Sequence, residues 1–224
     1  MVVSQRIKTI GDFIEKDDVV VDVGADHGLL ELYLLAKSPN ILITAVENKI
    51  GPYKILESSL EGLKNIKLSL SDGIEAVDEN TTTIVIAGMG GLNIKNILDK
   101  HPEKLERINK IVIDAHRDIE IARRTIVDYG FKFNEEKIVY EQDKFYIVSE
   151  FVKTDRVPDY NYVFIQIGYK LYNDKLWPKY RDYLIETNNK TIEKIKDLDN
   201  MQDKVLDLKI KNERLRNYGK NKTI

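Results

Sequence analysis

Val21-Asp22-Val23-Gly24-Ala25-Asp26-His27-Gly28 decides how this chain is read. A short β-branched run ends in a glycine, and helical spacing begins directly afterwards at Leu29, Leu30, Tyr33 and Leu34. This is the strand, turn and helix corner at which an open parallel sheet presents ligands, outside the carboxyl end of the strand. Working outward, buried-strand runs recur at Val19-Val20-Val21, Ile41 to Val46, Ile66 to Leu70, Thr83 to Ala87 and Ile111-Val112-Ile113. Between them lie helical stretches such as Ile55, Leu56, Ser59, Leu60 and Leu63. Strand and helix alternate five times, which predicts a parallel sheet covered on both faces.

After a helix predicted from Asp118 to Tyr129 and closed at Gly130, the pattern changes. Lys137 to Glu141 and Phe145 to Val152 are separated only by Gln142-Asp143-Lys144, which is short enough only for a tight hairpin. A dinucleotide-binding sheet would continue with parallel units. A final antiparallel strand is the habit of class I methyltransferase sheets, so the predicted fold is a Rossmann-like α/β sheet of that type.

Composition narrows the alternatives. With 224 residues, 42% hydrophobic and 32% charged, the chain can bury one substantial core and a small appendage. The absence of cysteine removes disulfides, thiolate zinc sites and cysteine nucleophiles, and three histidines leave little for a metal site. No metal is expected. No run approaches the roughly 20 apolar residues of a membrane span, and Met1 to Arg6 lacks a signal-peptide layout, so a cytoplasmic location and no membrane partner are expected.

Net charge is −2 overall, but its distribution is uneven. Residues 1–159 carry −7 and residues 160–224 carry +5. From Lys179 to Tyr218 the sequence predicts charged helix with a sparse stripe of Leu184, Ile192, Ile195, Leu198, Val205, Leu208 and Leu215 and a turn near Asp199-Asn200. Two antiparallel helices in a coiled-coil-like hairpin fit this best. The expected division is therefore a catalytic domain over 1–159 and a helical extension over 160–224.

The first turn lacks the further glycines of a dinucleotide fingerprint, and Asp26 stands two residues after Gly24, where an anion would repel a pyrophosphate. A cationic cofactor suits it better. S-adenosylmethionine, with a sulfonium, an ammonium and no phosphate, is compatible; the alternative is that Asp26 caps the following helix. Glu47, directly after the second strand, can accept hydrogen bonds from both ribose hydroxyls. Asp72 of Ser71-Asp72-Gly73 can accept from an adenine amino group, with Gly73 permitting the turn, although Asp-Gly is also an ordinary turn. Asp22, Gly24, Asp26, Glu47 and Asp72 then line one sheet edge, where a single binding cleft explains them together. Ala87-Gly88-Met89-Gly90-Gly91 reads as a loop at the fourth strand's end, with three glycines in four residues for close approach to the backbone. It holds no acid or amide able to deprotonate an exocyclic amine, and a structural turn is the alternative.

Together, Asp22-Val23-Gly24-Ala25-Asp26-His27, Glu47 to Tyr53, Ser71-Asp72-Gly73 and Ile86 to Gly91 resemble the bacterial tRNA (adenine-22-N1)-methyltransferase family, TrmK, across essentially the whole chain. The resemblance implies a methyltransferase fold, S-adenosylmethionine as donor and N1 of adenosine 22 in tRNA as acceptor. It also implies cofactor contacts at Asp22, Gly24, Asp26, His27, Glu47, Asn48, Asp72, Gly73, Ala87 and Gly88, with Asp26, Gly88 and Met89 at the reacting centre. Two departures stand out: Leu29-Leu30-Glu31 where the family has Tyr-Leu-Pro, and Asp114-Ala115-His116 where it has Gln-Pro-Asn after the fifth strand.

Adenine N1 is neutral at physiological pH, so its attack on the sulfonium methyl needs alignment and no general base. It lies on the pairing edge, so the base must leave its stack, and an aromatic or apolar wall is expected to hold it. The product base is cationic, which gives Asp26 a stabilising role. The acidic catalytic part repels phosphate, so tRNA is expected to bind Lys190, Lys194, Lys196, Lys204, Lys209, Lys211, Arg214, Arg216, Lys220 and Lys222, with Tyr172, Trp177, Tyr180 and Tyr183 nearby. A monomer is expected. The competing readings are a methyltransferase with another acceptor, a noncatalytic cofactor- or RNA-binding module, and an NAD-dependent oxidoreductase, the last disfavoured by the missing glycines.

Overall fold

In the computed structural model, residues 3–220 are described, in two compact units, Met1–Tyr160 and Asn161–Ile224. The first unit contains β1 (Val19–Val23), β2 (Leu42–Glu47), β3 (Ile66–Leu70), β4 (Thr83–Gly90), β5 (Lys110–Arg117), β6 (Phe131–Glu141) and β7 (Lys144–Lys153). Its helices are α1 (Gln5–Asp12), α2 (Leu29–Lys37), α3 (Ile50–Ser59), α4 (Gly91–Lys100) and α5 (Ile119–Asp128). The strands form one sheet in the order β3-β2-β1-β4-β5-β7-β6. The first five are parallel and β7 runs antiparallel to both neighbours.

The hairpin expected from sequence is present. Gln142 and Asp143, at φ +50° and +59°, form a two-residue turn whose left-handed geometry matches strand twist. The final strand is antiparallel, as expected. The hairpin folds inward so that β7 pairs with β5, leaving β6 at the edge.

Strand alternation sets what each face carries. Val20, Val85, Val112, Val148 and Val139 share one buried cluster with Ile10, Phe13 and Ile14 of the N-terminal segment and Leu30 and Leu34 of α2. Helix α1, started by Ser4 whose hydroxyl accepts from Ile7 N–H at 3.2 Å, supplies the cover that the sequence reading did not anticipate. The opposite face holds a buried ion pair: Arg123 of α5 donates from Nε to Glu136 Oε1 at 2.9 Å, and Ser149 Oγ donates to the same oxygen at 2.5 Å. The sequence-predicted glycine loop is also different in kind. Strand β4 runs through Gly90, and α4 starts at Gly91 without an intervening loop.

The second unit holds α6 (Tyr162–Gln166), α7 (Trp177–Ile195) and α8 (Gln202–Asn217), with a 3-10 turn at Asp199–Met201 where the sequence placed one. Pro178 sits in the first turn of α7, where its missing N–H has no helical partner to lose. Val205, Leu208 and Leu215 are buried as predicted, while Leu198 is exposed. Across the helices, Asn188 Nδ2 donates to Asn212 Oδ1 at 2.8 Å and Asn212 Nδ2 to Asn189 Oδ1 at 2.9 Å, a polar rung centred on the buried Asn212. No helix among the described residues is long and apolar enough to cross a membrane.

Candidate functional site

The carboxyl ends of β1, β2, β3 and β4 open on a cleft of about 420 Å³, within the size range of small-molecule sites. Gly24, Glu47, Asn48, Ser71, Asp72, Gly73 and Met89 line it, together with Asn93, Asn96, Ile97 and Lys100 from α4. Gly24 is held at φ +80°, and a Cβ there would stand 2.5 Å from Met89 Cε. The glycine therefore serves both purposes, a left-handed turn and a backbone that another group can approach.

Glu47 ends β2 and is nearly buried, and its Oε1 accepts from Asp26 N–H at 2.8 Å. That bond holds the turn after β1 and aims one carboxylate at the cleft. Asp72 is paired with Lys100, which, as the leading cause, holds its carboxyl below the ordinary aspartate range. Asp72 N–H also donates to Glu75 Oε2 at 3.3 Å. The α4 residues were missed in sequence. Asn93, Asn96, Ile97 and Lys100 recur at i, i+3, i+4 and i+7, one helix face, a signal that was legible once α4 was known to begin at Gly91.

Asp22 lies beneath the cleft and not on its wall. It shares the sheet face of Val20, on which α2 packs, and so meets Glu31 of that helix. Both carboxyls are buried. Desolvation first, opposed by the Glu31 hydrogen bond and reinforced by Glu47, lifts Asp22 to about 7. Desolvation and the Asp22 charge push Glu31 well above the carboxylate range. The two carboxyls are joined by a side-chain hydrogen bond, for which one of them must keep its proton.

Asp26 and His27 stand outside the cleft lining, exposed, with His27 Nε2 3.6 Å from Asp26 Oδ1. Asp26 does not cap α2; its N-cap is Gly28, at φ +72° and without a side-chain cap. Ala87 packs against the core cluster. Gly88, exposed at φ +77°, is the extra residue of a β-bulge, since Ala87 pairs with Asp114 and Met89 with Ala115. Gly91 has another purpose. A Cβ there would lie 1.9 Å from the Asp118 carbonyl oxygen, so this glycine lets α4 start against the turn before α5.

In the second unit, a groove of about 540 Å³ is lined by Arg181, Arg216 and Lys220 with Asp182, Ile185, Glu186 and Asn189. Trp177 is buried and meets Tyr218 at a 5.2 Å ring separation, with Tyr172 at 5.0 Å. Trp177 is core, a correction to its reading as a display residue; Tyr172 is half-buried and Tyr183 is exposed. Lys222 lies outside the described residues.

This geometry can be set beside known proteins. A family profile described as a methyltransferase domain matches residues 3–148. The chain belongs to the methyltransferase-domain family. A curated relative named tRNA (adenine(22)-N(1))-methyltransferase, from Bacillus subtilis, is 27% identical over 169 residues, 74% of this chain and 71% of the relative. The solved structure of the Bacillus subtilis m1A22 tRNA methyltransferase TrmK superposes with TM-score 0.85 at 23% identity, covering 96% of this chain and 97% of its own. M. capricolum TrmK, solved with S-adenosylhomocysteine, superposes at 0.84 with 22% identity, covering 97% and 98%. Within the methyltransferase family, the resemblance drawn from the sequence motifs and the names of these relatives coincide. Among the described residues no group of three or more His, Cys, Asp or Glu could hold a metal ion.

Proposed function

We propose that this methyltransferase uses S-adenosylmethionine to methylate N1 of adenosine 22 in tRNA. The observation that carries the reading is the cleft itself: two carboxylates on successive strand tips, Glu47 and Asp72, around a glycine turn that lacks the phosphate-seating glycines. The residues fit the cofactor. Gly24 takes the left-handed turn at φ +80° that brings the chain past Met89, and the Glu47 and Asp72 carboxylates are the acceptors that a nucleoside's hydroxyls and amino group require.

When bound, S-adenosylmethionine supplies a sulfonium methyl that the neutral adenine N1 accepts by direct displacement, without a covalent enzyme intermediate. The chain's own part is placement. Glu47, tied by one oxygen to Asp26 N–H, keeps the other for the ribose hydroxyls. Asp72 is kept ionised by Lys100, and accepting from an adenine amino group requires it to share its oxygens with that lysine. Asn48 and Gly73 complete this end, and Gly24 and Met89 form the floor. We assign Asp26, exposed at the turn, to stabilising the cation that forms on the product base, with His27 beside it. Holding nucleophile, methyl and leaving group aligned contributes roughly 7 to 11 kcal/mol, and no residue is asked to remove a proton.

We assign residues 1–159 to catalysis and 160–224 to tRNA binding through the basic groove at Arg181, Arg216 and Lys220. The chain works as a monomer in the cytoplasm in this reading. The test is calorimetry with S-adenosylmethionine followed by methyl transfer to tRNA. Glu47→Ala is expected to weaken cofactor binding at least tenfold, through a lost charged hydrogen-bond acceptor of about 1.5 to 3 kcal/mol. Wild-type affinity in that variant would place the cofactor elsewhere.

A further inference from the structure

Beside the cleft, strands β4 and β5 part. Ala87 pairs with Asp114, Met89 with Ala115 and Gly90 with Arg117, so Gly88 and His116 are both left out of the ladder at one level of the sheet. Bulges of this kind re-aim side chains at functional edges. The surroundings of this one are built from the same face as the main core. Arg6 lies one helical turn before Ile10 on α1, Asp114 two residues beyond Val112 on β5, Tyr146 two before Val148 on β7, and Glu141 two beyond Val139 on β6. Where the valines stop, this ring of polar and aromatic groups begins.

The ring is tightly organised. Asp114 is fully buried and receives the Arg6 guanidinium at Oδ2, while its Oδ1 has no hydrogen-bond partner. His116 Nε2 stands 3.6 Å from the same Oδ2. Arg6 lies over the Tyr146 ring at 5.1 Å, and His116 meets that ring edge-on at 5.6 Å. Glu141 Oε2 accepts from the backbone N–H of Arg6 at 3.2 Å. A Cβ on Gly88 would come 3.1 Å from Arg6 Nη2 and 3.9 Å from His116 Cε1. Gly88 thus separates the Gly24 and Met89 floor from a wall made of Arg6 and His116.

We propose that His116 is the residue on which the target base stacks when it leaves the tRNA, with Arg6 and Asp114 as positioning residues that hold the ring. The inference rests on the proposed tRNA methyltransferase activity and identifies the base-holding wall that the sequence left unassigned. His116 is 41% exposed in its side chain, so a ring face is open to a ligand, whereas Asp114 is not exposed at all. The local charge favours a base over a phosphate. The Arg6 guanidinium is already paired with the buried Asp114 carboxylate, which leaves it no free charge with which to attract an anion. Unstacked bases are characteristically held on aromatic side chains of this kind.

The test measures methyl transfer to tRNA and S-adenosylmethionine affinity for the full chain and three variants. His116→Ala is expected to lower kcat/KM for tRNA by about 5- to 100-fold, the range for losing one base stack, with cofactor affinity unchanged. His116→Phe, which restores a ring without a nitrogen, recovers most of that loss, and His116→Gln, which restores a polar group without a ring, does not. Unchanged activity in His116→Ala, recovery by Gln and not by Phe, or an equal loss of cofactor affinity each overturns the assignment. A wild-type chain that binds the cofactor but methylates no tRNA would instead overturn the activity on which it rests.

Discussion

Replacing Glu31 by glutamine separates the buried acid pair from every other source of pH dependence. Asp22 and Glu31 face each other out of water, and Asp22 titrates at about 7 in the fold where an ordinary aspartate titrates near 3.8. At 1.36 kcal/mol per pH unit, ionising it in place costs about 4 kcal/mol more than in the unfolded chain. The sign follows from proton counting. Between about pH 4 and pH 7 the folded chain retains a proton that the unfolded chain has released. The Asp22 contribution is therefore most favourable at the acid end and declines as pH rises to about 7, and Glu31, also raised, adds a decline of the same sign. Glu31→Gln removes a buried acid that the fold holds protonated where the unfolded chain would ionise it, keeps the shape and supplies an amide donor to Asp22. We expect the variant to be more stable than wild type by about 1 to 3 kcal/mol near pH 8, and by much less near pH 5, where the pair already shares its proton. In a protein of this size that corresponds to about 2 to 10 °C in Tm at the higher pH. Thermal unfolding across about pH 5 to 8 reads it directly. A variant with the same stability difference at both ends, or one less stable than wild type near pH 8, would refute the shared-proton account.

Other substitutions test separate links. Gly91→Ala puts a Cβ 1.9 Å from the Asp118 carbonyl oxygen, and denaturant unfolding is expected to show a loss of about 3 kcal/mol or more. Arg123→Met leaves the buried Glu136 carboxylate with the Ser149 hydroxyl and without its cation; a loss of about 3 to 5 kcal/mol in the same assay is expected. Reversing charge at Arg181, Arg216 and Lys220 is expected to weaken tRNA binding at least tenfold and flatten its salt dependence, since each lost phosphate contact takes roughly one unit from the log–log slope, while cofactor affinity stays unchanged.

Much of this architecture was legible because buried parallel strands leave a strong mark. The β-branched runs from Val19 to Ile113 gave five strands, and Gln142-Asp143 gave a hairpin, since both signals are local. The insertion of β7 between β5 and β6 was not legible, because pairing order is decided by tertiary contact and not by the hairpin's own sequence. Gly88, Gly90 and Gly91 looked like one loop. They divide instead into a bulge, a strand end and a helix-packing position, a distinction that depends on what each Cβ would strike. Strand-tip residues Gly24, Glu47 and Asp72 were found in sequence because they follow recognisable strands. Glu31, Arg6 and Lys100 were not, because each acquires its role only from a partner distant along the chain: Asp22, Asp114 and Asp72. Trp177 was misjudged for the related reason that an aromatic near basic residues serves equally well as the core of a small helical unit.

The most direct test of the central claim is mass mapping of nucleosides, with primer extension to locate the modified position, after incubating the full chain with S-adenosylmethionine and an unmodified tRNA transcript. The account predicts a single 1-methyladenosine at position 22 and none in a transcript carrying guanosine there. Methylation at another position, on another atom of the base, or of the guanosine transcript to the same extent would contradict it.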